Sequence, residues 1–177
     1  MPFILPAVLS LLFLAPLAFA QPQPGCSAPE HRQFNFWLGE WDVKLASGKE
    51  AGRNRIVAMH DGCALFEDWR GNGGYTGSSL TLYDRDAKRW HQTWVDNTGG
   101  LLQLDGGWKD DRMVLSGQDA PAPGTPPTLQ RISWQPLPDG RVRQLWEVSK
   151  DAGRTWTTAF DGTYSRRPVT VVPGTLP

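Results

Sequence analysis

The sequence predicts an all-β protein, an antiparallel up-and-down β-barrel of about ten strands with a short N-terminal helical plug. Three observations lead to this fold class. Alternating apolar and polar stretches recur roughly every 10–14 residues, turn-forming residues separate them, and no amphipathic helical stretch of ten or more residues lies between them. Ten strands that close on themselves leave no open sheet edge. A two-sheet sandwich is the alternative, but only the loop at 119–127 could supply its long crossover.

The two ends of the chain lie outside the predicted barrel. Residues 1–20 form an apolar run ending in Ala18-Phe19-Ala20, a small-x-small cleavage pattern, although no Lys or Arg precedes it. We therefore expect a cleaved secretory signal and a periplasmic or secreted protein that does not insert into the membrane. A Pro-rich lead (21–29), one barrel domain (30–167) and a tail (168–177) follow. A lipoprotein is the alternative, but the residues before Cys26 lack the leucine of a lipobox.

The elements follow from local signals in chain order. A single helical turn over 31–38 precedes the first strand. The dipeptide Asp61-Gly62 predicts a two-residue hairpin, Pro138-Asp139-Gly140 predicts a tight turn, and a proline-rich loop occupies 121–127. The predicted strands cover residues 40–46, 53–60, 63–70, 76–84, 89–96, 101–109, 112–118, 129–135, 141–149 and 156–166.

Strand alternation indicates which side chains face the interior. It places an aromatic and amide-bearing face inside a barrel that is wider than its side chains usually fill, so we expect a ligand cavity. The alternative is that these rings only fill the core, but nine tryptophans exceed what core packing usually requires. The predicted ligand-binding residues are Trp90, Gln92, Trp94, Trp134, Gln144 and Trp146.

Two further inward positions could carry chemistry. Glu67 shares a face with Leu65 and Trp69, which would place it inside a mainly apolar barrel. It is either a functional acid or ligand anchor there, or a rim residue or the partner of an inward Arg. Tyr164, on the last strand, could donate a proton. Asp96 is either a carboxylate at the mouth of a pocket or a turn former.

Charge and motif content exclude several functions. Eighteen basic and eighteen acidic residues cancel, so we expect no binding of nucleic acid. The three histidines have no metal-binding spacing, and alternation places them outside the barrel or in turns. The chain has no histidine after residue 91, so the later strands offer none as an axial ligand for haem. We therefore expect no metal and no cofactor.

The two cysteines, Cys26 and Cys63, predict one structural disulfide in an exported chain. Closing a loop of nearly 40 residues would stabilise the fold by roughly 3–4 kcal/mol in the chain-entropy estimate. Two buried free thiols are the alternative. The pair lacks the C-x-x-C spacing of a redox motif.

The stretch 149–156, SKDAGRTW, resembles the Asp-box of sialidases and related β-propellers, S-x-D-x-G-x-T-W. In that hairpin turn the Ser and Asp side chains bond backbone N–H groups, Gly takes a positive φ, and Trp packs beneath. A single copy does not make a propeller. The resemblance implies a structural role for Ser149, Asp151, Gly153 and Trp156.

Four stretches together resemble a family of small exported bacterial proteins of unknown function: FNFWLGEW (34–41), WHQTWVD (90–96), RQLWEVSKDAGRTW (143–156) and YSRR (164–167). More distantly, Gly39-Glu40-Trp41 resembles the G-x-W motif of calycins, the lipocalin-like barrels that bind small apolar ligands. The resemblance implies that Trp41 closes one end and packs against Arg166 or Arg167. Ten strands are closer to fatty-acid-binding and nitrobindin-like barrels than to eight-stranded lipocalins.

Three hypotheses on function follow. The first is a barrel that binds a small apolar or aromatic molecule in its interior. The second is a cofactor-independent isomerase, cyclase or lyase that uses Glu67 and Tyr164. The third is an envelope interaction module, which would require tryptophan and glutamine pairs on an exposed patch. The sequence favours the first hypothesis and leaves the oligomeric state open.

Overall fold

The computed structural model describes residues 25–119 and 124–168, and it confirms the all-β barrel. The predicted signal (1–20), most of the Pro-rich lead, residues 120–123 of the loop and nearly all of the tail lie outside the described residues. Within the described ranges, the strands are β1 (Gly39–Leu45), β2 (Glu50–Met59), β3 (Ala64–Gly71), β4 (Thr76–Asp84), β5 (Arg89–Asp96), β6 (Leu101–Lys109), β7 (Arg112–Gln118), β8 (Leu129–Pro136), β9 (Val142–Ser149) and β10 (Thr157–Arg166). Short 3-10 helices cover Pro29–Arg32, Asn35–Trp37 and His60–Gly62.

Every strand pairs antiparallel with its neighbours in sequence, and β1 pairs with β10 to close the barrel. The closing register places Trp41 opposite Arg166 and Val43 opposite Tyr164. Closure removes the two sheet edges that an open meander would expose. The two-sheet sandwich is therefore wrong. No helix among the described residues is long and apolar enough to span a membrane.

Strands β4 to β7 have the predicted bounds, whereas β2 begins three residues earlier than predicted, at Glu50 rather than at Arg53. The pairing of β1 with β2 shifts register between Val43 and Lys44. Next to this shift, Gly52 lets the β3 backbone come close, because a Cβ there would lie only 2.3 Å from the backbone oxygen of Arg70. The β2–β3 connection also differs from a two-residue hairpin: it is a 3-10 turn over His60–Gly62.

The N-terminal segment plugs one end of the barrel, which we call the closed end. Phe34 and Trp37 are fully buried there, and their rings stack with centroids 4.9 Å apart. Phe34 also meets Trp90 and Trp134 edge-on, at 5.7 and 5.2 Å. The predicted disulfide is confirmed between Cys26 and Cys63. It joins the plug segment to the β2–β3 turn at the same end.

His31 departs from the expected placement of the histidines. It belongs to the 3-10 helix Pro29–Arg32, yet only 6% of its surface is exposed. Its ring meets Tyr83 edge-on at 5.2 Å. Alternation could not place His31, because the plug is not a strand and one of its faces turns into the barrel. His91 does face outward, where Nδ1 lies 2.9 Å from Oδ1 of Asp105.

Trp41 lies at the junction of the plug and the first strand. Its Nε1–H donates to the carbonyl of Trp37 at 2.9 Å, and the Arg166 guanidinium lies 4.4 Å above its ring. Arg166 also donates to the carbonyl of Leu38 at 3.1 Å. Gly39 leaves room for this contact, because a Cβ there would lie 2.5 Å from Nη1 of Arg166. Arg167 lies outside the barrel, 3.4 Å from Asp42.

The Asp-box-like stretch forms the turn between β9 and β10. The backbone N–H of Gly153 donates to Ser149 Oγ, and that of Thr155 donates to Asp151 Oδ1, both at 2.8 Å. Gly153 has φ +86°. The Trp156 ring lies 4.1 Å from the guanidinium of Arg131. The stretch joins the last two strands, and none of its residues lines the interior cavity described below.

Candidate functional site

A cavity of about 350 Å³ occupies the half of the barrel opposite the closed end. The β1–β2 and β3–β4 turns border it, since Lys49, Asn72 and Tyr75 belong to its lining. Because the strands alternate in direction, these turns lie at the end of the barrel away from Cys63 and the plug. We call this the open end.

Four aromatic rings form the walls of the cavity, together with the apolar side chains of Leu102 and Ile132. Trp69 and Phe160 meet edge-on with centroids 6.2 Å apart. The walls are therefore mainly apolar and suit an apolar or aromatic ligand. The four wall rings are Trp69, Trp94, Trp146 and Phe160.

Three of these rings lie against glycines. A Cβ on Gly77 would lie 2.2 Å from the Trp94 ring, and a Cβ on Gly162 would lie 2.5 Å from the Phe160 ring. A Cβ on Gly71 would lie 3.0 Å from Nε1 of Trp69. The absence of a side chain at these positions lets the rings lie close to the sheet.

The floor of the cavity carries a buried carboxyl group. Glu67 points inward and is 6% exposed. Its Oε1 accepts a hydrogen bond from Asn54 Nδ2 at 2.7 Å, and its Oε2 accepts one from Ser79 Oγ at 2.6 Å. Glu67 is therefore not a rim residue, and among the described residues it has no Arg partner.

Burial raises the pKa of Glu67 from 4.5 to about 7, and the hydrogen bonds from Ser79 and Asn54 offset only part of this rise. Burial, followed by the nearby charge of Glu67, also raises the pKa of Tyr164 well above its usual value. Glu67 can therefore gain or lose a proton near neutral pH, whereas Tyr164 stays protonated and acts as a hydrogen-bond donor.

A chain of polar groups runs across the floor. Asn54 Nδ2 lies 3.4 Å from the hydroxyl of Tyr164, which donates to Gln144 Oε1. On the other side, Gln92 Nε2 donates to Ser79 Oγ at 3.2 Å. Glu67 joins the two halves of this chain, which therefore ties together side chains from six strands. The orientation of each side chain depends on the register of the whole barrel.

Asp96 is a turn former, and it is not one of the residues that line the cavity. It shapes the β5–β6 turn, because its Oδ1 accepts the N–H groups of Thr98 and Gly100 at 2.9 and 3.0 Å. Its Oδ2 accepts Trp94 Nε1–H at 3.2 Å and the Tyr75 hydroxyl at 2.9 Å. Hydrogen bonding, led by the Thr98 side chain, holds the pKa of this carboxyl far below its usual value. Asp96 thus positions two rings at the open end as an anion.

Trp146, like Trp94, is held by a hydrogen bond from its indole N–H to a side-chain oxygen. Its Nε1–H donates to Gln130 Oε1 at 2.6 Å, and Gln130 Nε2 donates to Asp119 at 2.8 Å. The indole is therefore held by an amide group outside the cavity lining. A ligand that entered the cavity would meet the apolar surface of this ring.

Trp134 lies between the two ends. Only 1% of its surface is exposed, and it packs on Trp37 with ring centroids 5.5 Å apart while also lining the cavity. Its Nε1–H has no hydrogen-bond partner among the described residues. Buried donors usually have partners, so this unpaired group is an exception within the core.

The structure brings five of the six predicted ligand-binding residues to the cavity. Trp90 is the exception: it faces inward, but it packs at the closed end, and its Nε1–H donates to Gln33 at 3.1 Å. Alternation indicates the face of a strand but not the height along the barrel axis. The five residues in the lining are Gln92, Trp94, Trp134, Gln144 and Trp146.

The two candidate acid–base residues, Glu67 and Tyr164, also line the cavity. Sequence reasoning missed Asn54 and Ser79, which bind Glu67. The burial pattern of β2 places Gly52, Asn54 and Ile56 on one inward face, so alternation applied to that strand would have found Asn54. The exposed Trp/Gln patch required by the third hypothesis does not form from Trp90 and Trp134, because both are buried.

In the described part of the chain, no three His, Cys, Asp or Glu side chains lie close enough to hold a metal ion. Comparison with known proteins adds no assignment: no family model matches the chain, and no curated protein sequence matches it.

Proposed function

We propose that this protein is an exported, calycin-like barrel that binds a small, largely apolar or aromatic molecule in its interior. The observation that carries the proposal is a cavity of about 350 Å³ with four aromatic walls and a polar floor. Ligand sites in proteins typically combine an apolar lining with a few polar groups that orient the ligand. The volume lies near the lower limit of such sites, which favours a small ligand.

Two features support the proposal. The closed end is filled by the plug, so a ligand would enter between the β1–β2 and β3–β4 turns. Two wall rings are fixed by hydrogen bonds to residues outside the cavity lining: Trp94 donates to Asp96, and Trp146 donates to Gln130. Rings held in this way need little ordering when a ligand binds.

Native mass spectrometry tests the proposal. The protein would be purified under native conditions from the cells that make it, and we expect a small molecule to remain bound. The variant Leu102→Trp should fill the cavity and lose the bound mass. Leu101→Trp is the matched control, since Leu101 lies on the outer face of the same strand and is 62% exposed. Equal retention by the two variants would contradict binding in the cavity.

A second candidate function is acid–base catalysis of an isomerase, cyclase or lyase type. The observation that favours it is that Glu67 and Tyr164 line the same cavity on either side of Asn54. A carboxyl group with a pKa of about 7 is suited to accept a proton at neutral pH, and a neutral phenol can stabilise a developing oxyanion. Conversion of a retained ligand by the wild type, but not by Glu67→Gln or Tyr164→Phe, would establish catalysis.

A further inference from the structure

We infer that the cavity selects a ligand that carries one protonated amine on an aromatic or apolar body, and that the amine pairs with the Glu67 carboxylate. This inference rests on the proposed function and specifies the chemical class of the ligand. It starts from a buried acidic group that has no counter-charge among the described residues.

The partners of Glu67 are neutral. Asn54 and Ser79 each donate one hydrogen bond to its carboxyl oxygens, at 2.7 and 2.6 Å. A carboxylate oxygen can accept more than one bond, so acceptor capacity remains toward the cavity. A buried carboxylate that lacks a cationic partner is costly, and a cation that enters the cavity removes this cost.

The charges in the lining agree with a cationic ligand. Among the described residues that line the cavity, Lys49 is the one basic side chain, and it belongs to the β1–β2 turn at the open end, beside Glu50. The floor therefore offers a negative group and no positive one. A ligand carboxylate placed there would face Glu67 and be repelled, whereas an ammonium group would be attracted.

The aromatic walls add a second attraction for a cation. Trp69 lies two residues after Glu67 on the same inward face of β3. Trp94 is the cross-strand neighbour of Ser79, whose hydroxyl bonds Glu67. Two indole rings thus belong to the cavity on the strands around the carboxyl group. The faces of such rings attract cations.

The remaining floor groups can orient an amine. A primary ammonium group has three N–H donors, of which Glu67 accepts one or two. The amide oxygen of Gln144 already accepts the Tyr164 hydroxyl, and it has a second lone pair.

The pairing implies that ligand binding is linked to proton release. The pKa of Glu67 is about 7, so below that pH much of the unliganded protein carries a neutral carboxylic acid. An ammonium ligand must displace the proton. Its affinity should therefore rise about tenfold per pH unit up to about pH 7 and then level off, as long as the amine itself stays protonated.

Three molecules of equal length test the inference: 3-phenylpropan-1-amine, 3-phenylpropan-1-ol and 3-phenylpropanoate. Binding to the purified protein would be measured at pH 8 by isothermal titration calorimetry and tryptophan fluorescence. We expect the amine to bind about tenfold or more tightly than the alcohol, since hydrogen bonds between charged groups are the stronger ones. We expect the carboxylate to bind most weakly.

Two variants test whether the preference for the amine depends on Glu67. Glu67→Gln should lower the affinity for the amine to that for the alcohol and remove its pH dependence. Lys49→Gln is the control for charge at the open end, and it should leave the ranking unchanged. The ranking in the wild-type protein does not depend on whether Glu67→Gln folds.

The outcomes separate this inference from the proposed function. Equal binding of amine and alcohol, or preferred binding of the carboxylate, would overturn the inference and leave a ligand-binding barrel. Binding of none of the three molecules would also overturn it, and the Leu102→Trp comparison would then decide the proposed function on its own.

Discussion

The two ends of this barrel use the same aromatic residues in opposite ways. At the closed end Phe34, Trp37 and Trp41 are fully buried, with Phe34 stacked on Trp37 and Trp41 packed against Tyr164. At the open end Trp94 and Trp146 are only partly buried and border empty space. One end is therefore a core in the ordinary sense, whereas the other is a lined cavity.

The difference comes from what fills the centre of the barrel. The plug brings Phe34 and Trp37 between the strands at one end, so the inward rings of Trp90 and Trp134 pack against plug rings there. No described segment occupies the equivalent position at the open end. We therefore expect substitutions at the closed end to affect stability and those at the open end to affect binding.

The largest expected effect is that of Trp41→Ala. The substitution removes a fully buried indole, its hydrogen bond to Trp37 and its contact with Arg166. We expect a loss of about 3–5 kcal/mol in the free energy of unfolding, as for other large aromatic truncations. Urea denaturation measures it. A variant as stable as the wild type would remove the distinction between the two ends.

Removal of the disulfide should have the next largest effect. The bond joins Cys26 to Cys63, which are 37 positions apart, and holds the plug segment to the β2–β3 turn. We expect the double variant Cys26→Ser, Cys63→Ser to lose about 3–4 kcal/mol. Equilibrium denaturation under non-reducing conditions measures the loss. Reduced wild-type protein is the matched control and should lose as much.

The stability contributed by Glu67 should depend on pH with a defined sign. Its pKa is raised from 4.5 to about 7 in the folded protein, so the folded state favours the neutral acid. The associated stability is present below pH 4.5 and is lost as pH rises through 7, by about 3 kcal/mol in total. The measurement is the free energy of unfolding of the wild type minus that of Glu67→Gln.

This subtraction is necessary because other carboxyl groups act with the opposite sign. The pKa of Asp151 is lowered to about 2 by hydrogen bonds, first from the Thr155 side chain, so its contribution to stability is lost in acid. The contribution of Asp151 is the same in the wild type and in Glu67→Gln, so the subtraction removes it. A difference that stays constant from pH 4 to pH 8 would contradict burial of an ionisable Glu67.

The smallest expected change in stability is that of Trp146→Ala at the open end. Trp146 is partly buried and already borders the cavity, so its removal enlarges an existing space. We expect a loss of about 1–2 kcal/mol, smaller than the loss for Trp41→Ala. Binding should weaken by tenfold or more, because one of four aromatic walls is gone. Denaturation and titration calorimetry measure the two effects.

The fold and the inward faces could be predicted because both depend on local signals. A two-residue period and turn residues between the strands are enough to predict the meander, and its closure follows from the cost of open edges. The location of Trp90 at the closed end could not be predicted. It depends on where the plug enters the barrel, which no strand pattern contains.

The candidate site could be predicted only in part, for a related reason. Glu67 was expected to face inward or lie at the rim, and its environment decides between the two. That environment comes from Asn54 on β2 and Ser79 on β4, which reach it only when the strands have the register seen in the structure. The raised pKa is therefore a property of the assembled barrel rather than of any short stretch.

The glycines behind the cavity walls have a consequence for the width of the interior. Alanine at Gly77 would push the Trp94 ring away from the sheet, and alanine at Gly162 would do the same to Phe160. One added methyl group at either glycine would thus narrow the cavity, although neither position belongs to its lining. Evolution or an engineer could change the ligand size that the barrel admits while every residue of the lining stays the same.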